Sequence, residues 1–261
     1  MLSSLKLWII FMIRVLFISP TLFLRIIREY CITRSLLWRS RTIDVNFNGT
    51  VLQWPNEHWF FYTAVEVFER KLYNKLTDCN HVLDLWWYLG ESAVWLSLYN
   101  NKVTVVEPNP SNFYYLNENI RYYKNIYAIE WAIVYKNQWK LYHTGWDFSA
   151  WGNITTNKTD ICIENIFIDK IRNKDIDSLK MDIEWWEYDI LNFLQSNKWL
   201  QLKKWYIEFH NIINNSIIII DYIEYLCNNK YYMEYENIYW KEIKKDEFLW
   251  SNIAVLYFIK K

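Results

Sequence analysis

His81-Val82-Leu83-Asp84-Leu85-Trp86-Trp87-Tyr88-Leu89-Gly90 decides the fold of this chain. Five residues form an apolar run broken by one acid, then comes a turn, then a helical pattern over 91–99. A short apolar run that ends in a turn reads as a buried strand. Working outward, the unit recurs. Strand-like runs cover 81–85, 103–107, 126–133, 177–183, 203–209, 230–238 and 252–259, and helical patterns cover 91–99, 111–123, 185–196 and 216–228. Alternation of this kind implies an α/β fold, a mostly parallel sheet with helices on both faces. Upstream, Phe60, Ala64, Val67, Phe68 and Leu72 give a helix-like pattern from about residue 56 to Leu76. Between the third and fourth strands lies an insert over 134–175. It holds a hairpin at Lys140-Leu141-Tyr142-His143 and a turn-rich stretch from Asn153 to Asp160.

With 261 residues, 52% hydrophobic and 22% charged, the chain can bury a full core, which excludes a disordered protein. Cys31, Cys79, Cys162 and Cys227 have no metal or C-x-x-C spacing and read as reduced thiols. The formal net charge is +0, but it is unevenly spread. Residues 1–42 carry seven positive charges against Glu29, a net of +6, so the remainder carries −6. A domain of that sign repels phosphate, which argues against a nucleic-acid partner. Between Leu7 and Leu24 the chain is almost wholly apolar, interrupted by Arg14, Ser19 and Pro20. That is a marginal span, and no small-residue cleavage site follows it. Two readings stay open: an interfacial anchor that holds a cytoplasmic domain at the inner membrane face, or a helix pair packed on that domain. Residues 1–55 are accordingly read as a hydrophobic, basic extension and 56–261 as the main domain.

Glycine numbers only 4 and tryptophan 17. Trp86, Trp87, Trp185 and Trp186 follow strand-like runs, and Trp139, Trp146 and Trp151 fall in turn-like surroundings. Turns use glycine because it alone reaches positive φ without a Cβ clash, and an indole supplies none of that freedom. The placement reads as glycine in the living protein: a genome that decodes UGA as glycine, translated with UGA as tryptophan, gives this pattern. A genuinely tryptophan-rich chain, with stacking platforms for sugars, is the other reading. UGG codons at 86, 87, 185 and 186 would exclude recoding.

Read with glycine at 86, Asp84 to Gly90 becomes D-x-G-x-x-x-G. It resembles the nucleotide-side loop of S-adenosylmethionine-dependent methyltransferases. Small residues there let main chain approach a ligand, and the next helix offers N-terminal amides to a carboxylate. In Val103-Thr104-Val105-Val106-Glu107-Pro108-Asn109-Pro110, Glu107 lies 23 residues beyond Asp84. An acid at that strand end accepts hydrogen bonds from both ribose hydroxyls. Pro108 directs the chain away, and Ser111 is positioned to cap the following helix.

Leu179-Lys180-Met181-Asp182-Ile183-Glu184-Trp185-Trp186-Glu187, read with small residues at 185 and 186, resembles the K-[IM]-D-[IV]-E-G-x-E segment of FkbM-type methyltransferases. Trp131-Ala132-Ile133-Val134, Ile207-Glu208-Phe209-His210 and the stretch from Lys158 to Ile171 resemble further segments of that family, in order. The likeness covers about 80–258 and leaves out the first 55 or so residues. The departures are the tryptophans and Tyr88. The resemblance implies a Rossmann-like methyltransferase fold with a seven-stranded sheet whose last strand is antiparallel. It also implies S-adenosylmethionine as cofactor and O-methylation of a sugar, glycan or small metabolite.

The cofactor set is then Asp84, Trp86, Tyr88, Gly90, Glu107, Pro108, Asn109, Trp131 and Ala132. Removing a proton from the acceptor hydroxyl needs a base at the strand ends, and His210, Asp182 and Glu184 are the catalytic candidates. For His210, a structural bond to backbone is the alternative. Glu187 falls three residues after Glu184, on one helical face. A divalent metal held by Asp182 and a neighbour stays open as an alternative, but no His or Cys cluster supports it and no metal ligand is assigned. His143 reads more readily as a surface residue than as a substrate contact. The competing function is a noncatalytic membrane-associated module whose pocket is plugged by Trp86 and Trp87. A nicotinamide-dependent oxidoreductase is excluded by the lack of G-x-G-x-x-G.

Overall fold

The computed structural model describes residues 24, 42–47, 49–55, 63–69, 71–85, 88–134, 141–144, 153–155, 161–163, 165–167, 171, 175–183, 187–196, 202–237, 241–249, 251 and 253–260. The chain divides into two compact units, Met1–Lys71 and Leu72–Lys261. In the first, β1 (Thr42–Phe47) and β2 (Thr50–Pro55) form an antiparallel hairpin, with Gly49 at φ 97° in its turn. The helix-like pattern from residue 56 resolves, where described, into a short π-helical turn at Val65–Glu69 and, in the second unit, a 3-10 turn at Asn74–Leu76. The basic N-terminal segment, apart from Leu24 and Thr42, lies outside the described residues. Among the described residues no helix is long and apolar enough to cross a membrane.

The second unit alternates as the apolar runs require. Its main elements are β3 (His81–Leu85), α1 (Glu91–Ser97), β4 (Lys102–Val106), α2 (Pro110–Ile120) and β5 (Ile126–Ile129). After the insert come β11 (Ser178–Met181), α3 (Glu187–Ser196), β12 (Lys204–His210), α4 (Ile212–Asn228), β13 (Tyr231–Asn237), β14 (Glu242–Ile243), α5 (Lys245–Leu249) and β15 (Ile253–Lys260). The sheet order is β14-β13-β15-β12-β11-β3-β4-β5. β5, β4, β3, β11 and β12 run parallel, and β15 enters antiparallel between β12 and β13. The expected seven strands are all present. The eighth, β14, is a two-residue edge that pairs only Tyr235 with Ile243 and Glu236 with Glu242. Every residue of β3 and β11 is buried, as parallel strands covered on both faces must be.

One face of the sheet packs Leu83, Leu85, Met181, Ile207 and Phe209 with Ile190, Leu191 and Leu194 of α3 and Ile219, Tyr222 and Ile223 of α4. Trp205 belongs to the same core and sets its ring edge-on to those of Tyr222, Tyr231 and Phe258. Elsewhere Trp95 in α1 stacks edge-on with Tyr73.

Three expectations are corrected. The run 126–133 is two strands, since the chain breaks at Glu130-Trp131 before β6 (Ala132–Val134). The stretch from Asn153 to Asp160 is not only turn. β8 (Asn153–Thr155) pairs with β7 (Leu141–Thr144), which also pairs with β9 (Ile161–Ile163), making a small antiparallel sheet, and β10 (Asn165–Phe167) runs parallel to β6. Finally, α2 is capped by Asn109, whose side chain accepts from Ser111 N–H and Asn112 N–H, with Pro110 in the first turn. The amide oxygen one residue before Pro110 reaches those two donors, so Ser111 donates to the cap rather than forming it.

Candidate functional site

In an open α/β sheet the ligand crevice lies beyond the carboxyl ends of the strands, where the strand order reverses. That place is between β3 and β11, whose register sets Asp84 beside Lys180. Both side chains are fully buried, and Lys180 Nζ lies 3.3 Å from Asp84 Oδ1 and 3.9 Å from Asp182 Oδ2. Ser92, in the first turn of α1, donates its hydroxyl to Asp84 Oδ2. Burial pushes the Asp84 carboxyl up, while Lys180 and Ser92 pull it down. A buried carboxylate survives there because it is paired and hydrogen-bonded.

The turn after β3 ends at Gly90, whose φ of 97° and ψ of 10° are left-handed. A Cβ there would stand 2.7 Å from Leu116 Cδ1, so α1 and α2 close on this glycine. Tyr88 and Leu89 are buried beside it, and Asn119 donates to the Leu89 carbonyl at 2.8 Å. Trp86 and Trp87 lie outside the described residues, as do Trp139, Trp146, Trp151, Glu184, Trp185 and Trp186.

Glu107 stands at the carboxyl end of β4, fully buried. Its Oε1 accepts from Asn109 N–H at 2.8 Å and from Asn112 Nδ2 at 3.4 Å. Its Oε2 is buried with no hydrogen-bond partner among the described residues. Burial raises this carboxyl to about 8, against the pull of those two donors. An unmet buried acceptor costs about 1–3 kcal/mol and marks a place shaped for a donor from outside the chain. Two ribose hydroxyls are such donors, so the residues present fit a nucleoside. Pro108 and Asn109 are buried behind Glu107. The Glu107 N–H bonds the Ile129 carbonyl at 3.1 Å, which draws the end of β5 alongside. Two residues on, Trp131 is 36% exposed at a bend and Ala132 is buried.

A second group of side chains gathers one strand further along. Asp182 follows β11, and the register Met181↔Ile207 brings it alongside Glu208 of β12. Glu208 and His210, two residues apart, share a strand face. Ligand atoms of Asp182, Glu208 and His210 all lie within 4.8 Å of one another. His210 Nε2 is 3.7 Å from Glu208 Oε1, and Nδ1 is 2.8 Å from Glu187 Oε1. Glu187 opens α3 and is fully buried, which pushes its carboxyl up while the bond to His210 pulls it down. Tyr188 donates to the His210 carbonyl at 2.5 Å. Asn211 then turns left-handed at φ 54° and leads directly into α4, so the strand stops at the histidine. His210 is therefore tied through its ring to a carboxylate.

A sequence profile of the methyltransferase FkbM domain matches residues 88–231, more than half of the chain. The chain belongs to the FkbM methyltransferase family. Its cofactor is S-adenosylmethionine, and its fold is the Rossmann-like α/β fold of methyltransferases. No curated protein matches it in sequence. Among solved structures, it resembles Trm5b from Pyrococcus abyssi at 12% identity and a TM-score of 0.49, over 85% of this chain and 57% of that one. It resembles M. jannaschii TYW2, solved with AdoMet, at 16% identity and 0.47, over 85% and 88% of the two chains. It resembles a methyltransferase FkbM from Methylobacillus flagellatus KT at 16% identity and 0.46, over 75% of this chain and 47% of that one. The FkbM chain thus spans less than two thirds of the length of two of these relatives.

Of the expected site residues, the fold sets Asp84, Tyr88, Gly90, Glu107, Pro108 and Asn109 at or just after the carboxyl ends of β3 and β4 and brings Asp182 close to His210. Sequence reasoning passed over Lys180 and Glu208 as site residues and did not connect Glu187 with His210; the relation of Glu187 to Glu184 lies outside the described residues. The signal for Glu208 was its i, i+2 relation to His210. Lys180 and Glu187 could be recognised only once the register of β3 with β11 and the start of α3 were known.

Proposed function

We propose that this FkbM-family chain transfers a methyl group from S-adenosylmethionine to a hydroxyl of a sugar, glycan or small hydroxylated metabolite. The observation that carries the reading is the succession of two groups of side chains along the carboxyl ends of β4, β3, β11 and β12. Glu107 and Asp84 form a nucleoside-side group at β4 and β3. Asp182, Glu208 and His210 form a hydroxyl-side group at β11 and β12, and Lys180 bridges Asp84 and Asp182.

When bound, S-adenosylmethionine supplies a methyl group already activated on a sulfonium. The chain's residues hold and orient. Glu107 offers its unmet Oε2 to ribose hydroxyls, and Gly90 lets the turn after β3 pack against Leu116 and Ile120 of α2. Asp182 and Glu208 accept hydrogen bonds from the acceptor's hydroxyls, and the imidazole of His210, steadied by Glu187, draws on the proton that must leave. A polyol acceptor is favoured over RNA by the net −6 outside residues 1–42. We take residues 1–55 as an extension whose basic, apolar arm seats the catalytic domain, residues 56–261, on the inner face of a membrane.

Methyl-labelled S-adenosylmethionine offered with glycan, small-polyol and RNA acceptors tests this. Label in an alkali-stable ether of a glycan or polyol is the expected result. Label in RNA would overturn the acceptor class, and cofactor binding without any transfer would favour the noncatalytic module.

A further inference from the structure

We propose that the side-chain amide of Asn109 reads the cofactor's ribose jointly with Glu107: one sugar hydroxyl donates to Glu107 Oε2 and accepts from Asn109 Nδ2. The inference rests on the S-adenosylmethionine reading and adds a donor to it. An ionised carboxylate only accepts, so Glu107 alone receives any donor that reaches it. The amide makes the strand end selective for a group that can both give and take a hydrogen.

The observation is a complementary pair of unmet atoms. Glu107 and Asn109 have no exposed surface, and neither Glu107 Oε2 nor Asn109 Nδ2 has a hydrogen-bond partner among the described residues. The two residues are tied together by the 2.8 Å bond from Asn109 N–H to Glu107 Oε1, which leaves Oε2 as the open oxygen. One atom of the pair is an acceptor and the other a donor. A hydroxyl meets both needs, because its O–H donates while its lone pairs accept. A ring nitrogen or carbonyl would serve Nδ2 alone, and an ammonium would serve Oε2 alone.

Neighbouring bonds fix the orientation of the amide. Its Oδ1 accepts from Ser111 N–H at 2.8 Å and from Asn112 N–H at 3.3 Å. Turned over, the amide would set its NH2 against those two donors. Nδ2 therefore faces away from them. No main-chain donor of this turn is left to take its place. Pro108 and Pro110 have no N–H, and Glu107 N–H bonds the Ile129 carbonyl. The N–H groups of Asn109, Ser111 and Asn112 are all spent on Glu107 and Asn109. A serine would cap α2 as well and would bury no idle NH2. The amide fits a hydroxyl that comes with the ligand.

The test is calorimetric titration of the full chain with S-adenosylhomocysteine and its two monodeoxy analogues, each lacking one ribose hydroxyl. It is run above the pH of about 8 at which the Glu107 carboxyl ionises. Asn109→Ser keeps a capping oxygen and removes the donor, whereas Asn109→Asp keeps the cap and sets an acceptor in the donor's place. Thermal unfolding checks that both variants fold. Asn109→Ser is expected to bind S-adenosylhomocysteine about tenfold more weakly than the parent, and Asn109→Asp more weakly still. With one of the deoxy analogues the penalty of Asn109→Ser should vanish, because the hydroxyl it serves is gone. Affinity unchanged by both substitutions, or a penalty equal for all three ligands, overturns the assignment and leaves the cofactor crevice standing. A folded parent that binds none of the three removes the crevice and the assignment together.

Discussion

Glu107 concentrates the cofactor claim in one side chain. Its carboxyl is raised to about 8 by burial, well above its ordinary value, so the folded chain binds a proton that the unfolded chain has already released. Stability from this group is therefore complete at acid pH and is lost as pH climbs to about 8. Glu107→Gln, which stays neutral, should lose less Tm than the parent between pH 5 and 8. The expected difference is at least about 3 °C, what roughly 1 kcal/mol produces in a domain of this size. Above about pH 8, where the carboxyl is ionised, the same variant should bind S-adenosylmethionine about tenfold more weakly, because its amide presents fewer acceptors to two ribose hydroxyls. Equal pH slopes by differential scanning calorimetry would remove Glu107 from this role. At residue scale the sequence was most legible where one side chain has one strand-end position, as with Asp84, Glu107 and His210. It was least legible for Lys180, because only strand pairing places its ammonium against Asp84. Tryptophan divides in the same way. Trp95 and Trp205 are packed among aromatic rings in a helix and a strand, whereas Trp86, Trp87, Trp185 and Trp186 lie outside the described residues and stand in the sequence just after strand-like runs. Gene sequencing should find UGG at 95 and 205 and UGA at those four; UGG at all six would contradict recoding.

Among the elements, β12 is the one on which the hydroxyl-side group depends. It lies between β11 and β15, its alternate residues Glu208 and His210 share the crevice side, and Tyr188 of α3 holds its last carbonyl. Trp205 anchors the opposite end of the strand and is 1% exposed. Trp205→Ala should cost about 3–5 kcal/mol, read as a lowered denaturant midpoint. A loss under about 1 kcal/mol would show that the ring is not part of the core. Long buried strands could be read from their apolar runs because both faces are covered. β8 and β14 could not, since strands of three and two residues are held by their neighbours and carry too few residues to show a period. The cap of α2 was missed for a similar reason: Asn109 and Ser111 are both competent capping residues, and Pro110 decides between them by starting the helix after Asn109.

At the scale of the whole sheet, the order of the parallel strands reverses between β3 and β11, and the buried Asp84 and Lys180 stand at that reversal. An α/β class followed from alternation alone, but the reversal that locates the crevice is a property of strand order, which local patterns do not contain. The net charges are +6 over residues 1–42 and −6 over the rest, the contrast on which the proposed membrane seat and the proposed polyol acceptor rest. The most direct measurement is isothermal titration of the full chain with S-adenosylmethionine. Above about pH 8, binding of one equivalent in the micromolar range, weakened about tenfold by Glu107→Gln, is the expected result. A folded chain that gives no heat with the methyl donor would contradict the cofactor crevice at Asp84 and Glu107.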